Sequence, residues 1–223
     1  MYNAGYDGNG VVLSVGILEM ILKRYSPKMV VFDVEPAFDI QEYAPDNNHT
    51  RYLHRLKPYY NQNGIDRIFK DISFEEWLKV HFGMMRYNTI IVPLAIDNLI
   101  NRGVEEKGFK PESGKMIEDR KMPHNNANVD EFKLFYINKM IELTKKNNVQ
   151  LLLIASPKYG ANNSSELCLI KKICEKSNIP FSDYYSDTTF VNHKELFKEP
   201  MHLNAEGAKQ YSTMIANDIL KYY

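Results

Sequence analysis

Residues 150–156 read QLLLIAS, and the fold turns on this stretch. Leu151 to Ala155 are apolar without interruption, in a run too short for a helix. Such a run reads as a strand buried on both faces. Helical patterns flank it. Upstream, Val129, Phe132, Tyr136, Met140 and Leu143 recur at steps of three and four, and downstream Leu167, Ile170, Ile173 and Cys174 do the same. Further out on each side comes another short apolar run: MVVFDV at Met29–Val34 and IPFSDY at Ile179–Tyr184. Outermost is a first helix on Val11, Val15, Leu18, Leu22 and Tyr25, with Lys23 and Arg24 in its last turn and Pro27 closing it. A last helix starts after Asn204, a good N-cap, and turns Ala208, Tyr211, Ile215, Ile219 and Tyr222 inward. Helices alternating with strands predict an α/β fold, with a parallel sheet covered by helices on both faces.

The pattern loosens between residues 37 and 128. Phe74–Phe82 and Tyr87–Leu99 look helical, while YAPDNNH and KPYYNQNG look like joints and residues 101–128 like polar loop. No self-contained core pattern emerges there. We read the region as a helical and loop insertion in a single domain spanning residues 1–223.

Composition narrows the function. The chain has 223 residues, 44% hydrophobic and 25% charged, which suits a globular protein with its own core. Twenty-eight basic residues balance 28 acidic ones. That neutrality argues against nucleic acid or an anionic membrane as partner. Two cysteines, Cys168 and Cys174, are too few for a disulfide scaffold or a cysteine-built zinc site. The longest apolar stretch, Val11–Leu22, is broken by Ser14 and Glu19 and falls short of a bilayer span, so no membrane segment is expected. Tyr43, Tyr52, Tyr59, Tyr60 and Tyr87 concentrate in the insertion. Such rings can stack on sugars, though more commonly they fill cores.

Two constellations carry chemistry. YNAGYDGNG at residues 2–10 brings Gly5 and Gly8 to the start of a helix, where free N–H groups point at negative charge. A glycine-rich helix start without function fits the same spacing. In EPMHLNAEGAKQYS, Glu199 and His202 lie three residues apart before the last helix. An acid that orients an imidazole, and an imidazole that takes a hydroxyl proton, are two thirds of a nucleophilic triad. The bland alternative is a surface loop with an incidental histidine. His49, His54, His81, His124 and His193 lack a comparable context, and no close His pair has metal-ligand spacing. No metal and no cofactor is expected.

In their order, YNAGYDGNG, ILKRYSPKMVVFDV, LLLIASP, SNIPFSDY and MHLNAEGAKQYS resemble the SGNH (GDSL-type) hydrolase superfamily. More narrowly, they resemble a bacterial cell-surface branch carrying YNAG-x-DGN and HLN-x-x-GA. The resemblance covers nearly the whole chain. It implies a three-layer α/β/α sandwich and cofactor-free ester hydrolysis or acyl transfer. It makes His202 the base, Glu199 its orienter, and Gly8 with Asn9 the oxyanion donors.

Three departures qualify it. The serine block is missing: Ser14, Ser26, Ser156 and Ser212 all stand in the wrong context. In the family that strand precedes the YNAG segment. The expectation is therefore that Met1 is an internal methionine or that the copy is N-terminally truncated, and that the chain as written is inactive. No asparagine follows MVVFDV; Asp33 or Glu35 occupies that region, and a carboxylate there would repel an oxyanion unless protonated. Glu199 stands where the family usually has Asp, a mild change.

The leading expectation is an esterase or acyltransferase acting on a small-molecule or glycan ester. The alternative is a non-catalytic binding or assembly module of the same fold. A nucleotide-binding protein is the weakest reading, because no strand precedes the glycine-rich start in this chain. A missing strand would leave an open sheet edge and favour a homo-oligomer. The cell envelope or periplasm is the expected location if an anchor or signal precedes the chain, and the cytoplasm otherwise.

Overall fold

The computed structural model describes residues 2–5, 10–42, 49, 53, 55–88, 95, 96, 99, 112–117 and 128–222. The apolar runs become the parallel strands β1 (Met29–Asp33), β2 (Gln150–Ala155) and β3 (Phe181–Asp183). Their order is β1-β2-β3. Met29 to Asp33 lie beside Gln150 to Ile154, and Leu153 to Ala155 beside Phe181 to Asp183. The strand flanked on both sides is thus the most apolar one, as burial on two faces requires.

Alternate side chains enter two cores. Leu151, Leu153 and Ala155 of β2, with Val30 and Phe32 of β1, face a large apolar cluster. That cluster is built from helices α1 (Val11–Leu22), α3 (Asn63–Ile72), α6 (Glu131–Lys146) and α7 (Cys168–Ser177). Leu152 and Ile154, with Met29 and Val31, face a smaller cluster. It holds Phe190 of α8 (Thr188–Val191) and Tyr211, Met214, Ile215 and Ile219 of α9 (Ala205–Leu220). The molecule is therefore an α/β structure with helices on both faces of a parallel sheet.

Several boundaries differ from the sequence reading. Helix α1 ends at Leu22, so Lys23 and Arg24 follow it, and Tyr25 lies outside, 68% exposed. The helix is not one-sided: Val12 and Leu13 are buried along with Val11, Val15 and Leu18. Gly16 permits this, since a Cβ there would meet Ile65 and Ile68 at 3.0 Å. Val129 precedes α6 and bridges Gln41; Asp130 is the cap, accepting from the Phe132 and Lys133 amides. Tyr222 lies past α9.

Between β1 and α6 the described residues are mostly helical. They form α2 (Pro36–Asp39), a 3₁₀ turn (Lys57–Tyr59), α3, α4 (Phe74–His81) and α5 (Gly83–Tyr87). Leu53, Leu56, Ile65, Ile68, Phe69 and Val80 join the cluster that holds α1. Most of the helix predicted over Tyr87–Leu99 lies outside the described residues; Tyr87 ends α5.

The two sheet edges are unlike. Gln150 N–H donates to Lys28 O at 3.0 Å and Val34 N–H to Ile154 O at 2.8 Å. Even-numbered residues of β1 thus face β2, and the backbone groups of Met29, Val31 and Asp33 face outward. Among the described residues no further strand pairs there. The β3 edge is only three residues long, follows Pro180 and carries the Lys171–Asp183 ion pair at 2.6 Å. Short length, proline and charge are the usual guards of an edge, and β1 has none of them between Met29 and Phe32.

Candidate active site

Parallel α/β sheets bind ligands beyond the carboxyl ends of their strands. Here those ends converge on a polar cluster. Asp33 closes β1 and Ser156 follows β2. Because the strands run in register, these side chains meet across 123 residues of sequence. Ser156 N–H donates to Asp33 Oδ1 at 2.9 Å, and the Ser156 hydroxyl donates to Oδ2. Asp33 opens to solvent on one side and is crowded by protein elsewhere. Burial pushes its carboxyl above the usual range, while Lys158 and Ser156 pull the other way. The Tyr211 hydroxyl is buried nearby, against Ser156. Burial raises its pKa, and the Asp33 charge adds to that.

The loop after β1 contributes two more carboxylates. Glu35 forms an ion pair with the buried Lys158 ammonium. Its amide donates to Asp39 Oδ2 at 2.7 Å. Burial pushes the Asp39 carboxyl up to about 8.

Glu199 and His202 belong to a small antiparallel hairpin, β4 (Phe197–Glu199) and β5 (His202–Leu203). Directly opposite in the ladder, they meet: the Glu199 carboxylate contacts His202 Nδ1. Each side chain is 56% exposed. A carboxylate only accepts, so Nδ1 carries the proton and Nε2 is left as acceptor. Asn204 holds the hairpin to α9. Its Oδ1 accepts from the Glu206 and Gly207 amides at 3.1 Å, and its Nδ2 donates to Glu195 O at 2.7 Å.

The sequence-predicted residues divide as follows. Glu199 and His202 come together. Asp33 pairs with Ser156, and among the described residues no hydrogen bond joins it to either of them. Gly8 and Asn9 lie outside the described residues. Of the serines, Ser14 bonds back to Gly10 O at 3.2 Å and Ser156 bonds Asp33; no described serine hydroxyl reaches His202. Sequence reasoning missed Lys158, Tyr211 and the role of Ser156. It also missed an acid on His193, whose Nδ1 lies 2.9 Å from Glu195 Oε1. The signal for Ser156 and Lys158 was SPK after the clearest strand, since residues two apart in an extended segment share a face.

Among the described residues, no three His, Cys, Asp or Glu side chains converge as metal ligands would. No described helix is long and apolar enough to cross a membrane. No protein-family model, curated protein or solved structure matches the chain.

Proposed function

We propose that this chain carries the acid–base half of an SGNH-type ester hydrolase or acyltransferase site, acting on an acylated small molecule or cell-surface glycan. One observation carries the reading: Glu199 holds His202 Nδ1 and leaves Nε2 free as a base on an exposed hairpin. In the reaction Nε2 takes the proton from a serine hydroxyl as its oxygen attacks the ester carbonyl. It then returns that proton to the leaving alcohol, and Glu199 stabilises the imidazolium between the two steps. In the family that the chain resembles, that serine stands in a block ahead of the YNAG segment.

A second reading, a non-catalytic binding module of the same fold, is favoured by the absence of any described serine hydroxyl on His202. One experiment separates them. The polypeptide is produced from its natural reading frame, without trimming, and assayed on acetylated oligosaccharides and nitrophenyl esters. The enzyme reading expects turnover that falls about 10²–10⁴-fold in His202→Ala. No turnover, or turnover indifferent to that substitution, favours the binding module.

A further inference from the structure

We infer that Lys158 is a positioning residue that latches the His202 hairpin to the carboxyl end of the sheet. The inference rests on His202 as the base and adds what fixes its place. Lysine is seldom buried without a partner, because a lone ammonium in the interior is costly. Lys158 is 7% exposed, and its bonds reach three separate segments. Its ammonium pairs with Glu35, just beyond β1. The same ammonium donates to Met201 O at 3.3 Å, the carbonyl immediately before His202. Its backbone N–H donates to Tyr185 O at 3.1 Å, just beyond β3. The next residue adds a second tie to the hairpin, Tyr159 N–H to Pro200 O at 3.0 Å.

The hairpin needs such a tie. Its strands hold three and two residues, and an isolated pair of that length is not stable in water. Its tip, Pro200–Met201, is held by the Lys158–Tyr159 segment, and its base by Asn204. A charged side chain at the tip does what an apolar one cannot. It neutralises Glu35 and captures a carbonyl at once, so the end of β1 and the backbone of His202 are set by one group.

Amide hydrogen exchange on the full chain tests this without a substrate. Lys158→Met keeps the stem and removes the ammonium. The Tyr159 and Asn204 amides, which donate to hairpin carbonyls or to the turn before it, should exchange about tenfold faster or more, while those of Leu152 and Ile154 in β2 keep their protection. Lys158→Arg should restore most of the difference. Glu35→Gln, which leaves the lysine in place, should loosen the same amides less. Combined with Lys158→Met it should add nothing, since the two act through one contact. A parallel loss of protection across hairpin and β2, or no change at the hairpin, overturns the latch. Where ester turnover is found, Lys158→Met should lower kcat and leave KM unchanged. If no form of the chain turns over ester, the functional reading fails, and the exchange pattern still decides the role of Lys158.

Discussion

Asp39→Asn should stabilise the protein at neutral pH, by an amount that grows with pH. Asp39 is 2% exposed, accepts the Glu35 amide through Oδ2, and is also approached by the Val11 amide at the start of α1. Burial raises its pKa from 3.8 to about 8. The folded state therefore keeps a proton that the unfolded chain releases above pH 3.8. The group's stabilising contribution is fully present below that value and is lost as pH climbs towards the folded pKa. Each pH unit in this window costs about 1.4 kcal/mol, so about 4 kcal/mol is the ceiling of the loss by pH 7. Asparagine mimics the protonated acid at every pH and retains a carbonyl for the Glu35 amide. Urea denaturation of both proteins from about pH 4 to about pH 9.5 reads the difference directly. It should be near zero at the acid end, rise through neutrality and level off above pH 8. A difference that stays flat, or that shrinks as pH rises, would refute the reasoning, because it would mean that Asp39 ionises in the fold as easily as in the unfolded chain.

Three further outcomes follow from single contacts. Asn204→Ala removes the cap of α9 and strands the Glu195 carbonyl, and should cost about 2 kcal/mol in urea denaturation. Gly207→Ala puts a Cβ 2.2 Å from the Leu196 carbonyl oxygen, which is backbone and cannot swing aside; a loss of about 3 kcal/mol is expected from the same assay. Glu199→Gln should leave the melting curve within about 0.5 kcal/mol of the parent, because the pair is exposed. It should nonetheless release His202 from a single tautomer, as read from the imidazole nitrogen resonances; an unchanged spectrum would remove Glu199 from its orienting role.

The parts of the fold that were legible are those where local pattern and tertiary burial agree. Leu151–Ala155 is apolar throughout and lies in the middle of the sheet. Helix α3 was not legible, although its apolar residues Ile65, Ile68, Phe69 and Ile72 are well spaced, because it opens on Asn63-Gly64, which reads as a turn. Strands β4 and β5 were invisible for a different reason: with three and two residues they have no period to detect. The site divides in the same way. Glu199 and His202 are three residues apart and could be paired from spacing. Asp33 with Ser156, and Glu35 with Lys158, are neighbours only because β1 and β2 run parallel in register, and one sequence gives the order of strands less readily than their existence.

The His193–Glu195 pair bears on how much weight a histidine and an acid can carry. Its Nδ1 contact is of the same kind as that of His202, and both its side chains are exposed, at 51% and 56%. Its carboxylate is held below the usual range, first by its own backbone amide and then by His193. The contact alone therefore does not make a catalytic base. What separates the two histidines is the backbone beneath them. His193 leads into a 3₁₀ turn and directs its own carbonyl to the Leu196 amide, while the residue before His202 is bonded to a lysine that is itself bonded to the ends of two sheet strands. A base must be held where substrate and nucleophile meet, and in an open α/β sheet that place is the carboxyl edge. Placement at that edge, more than pairing with an acid, is the reason to look for chemistry at His202.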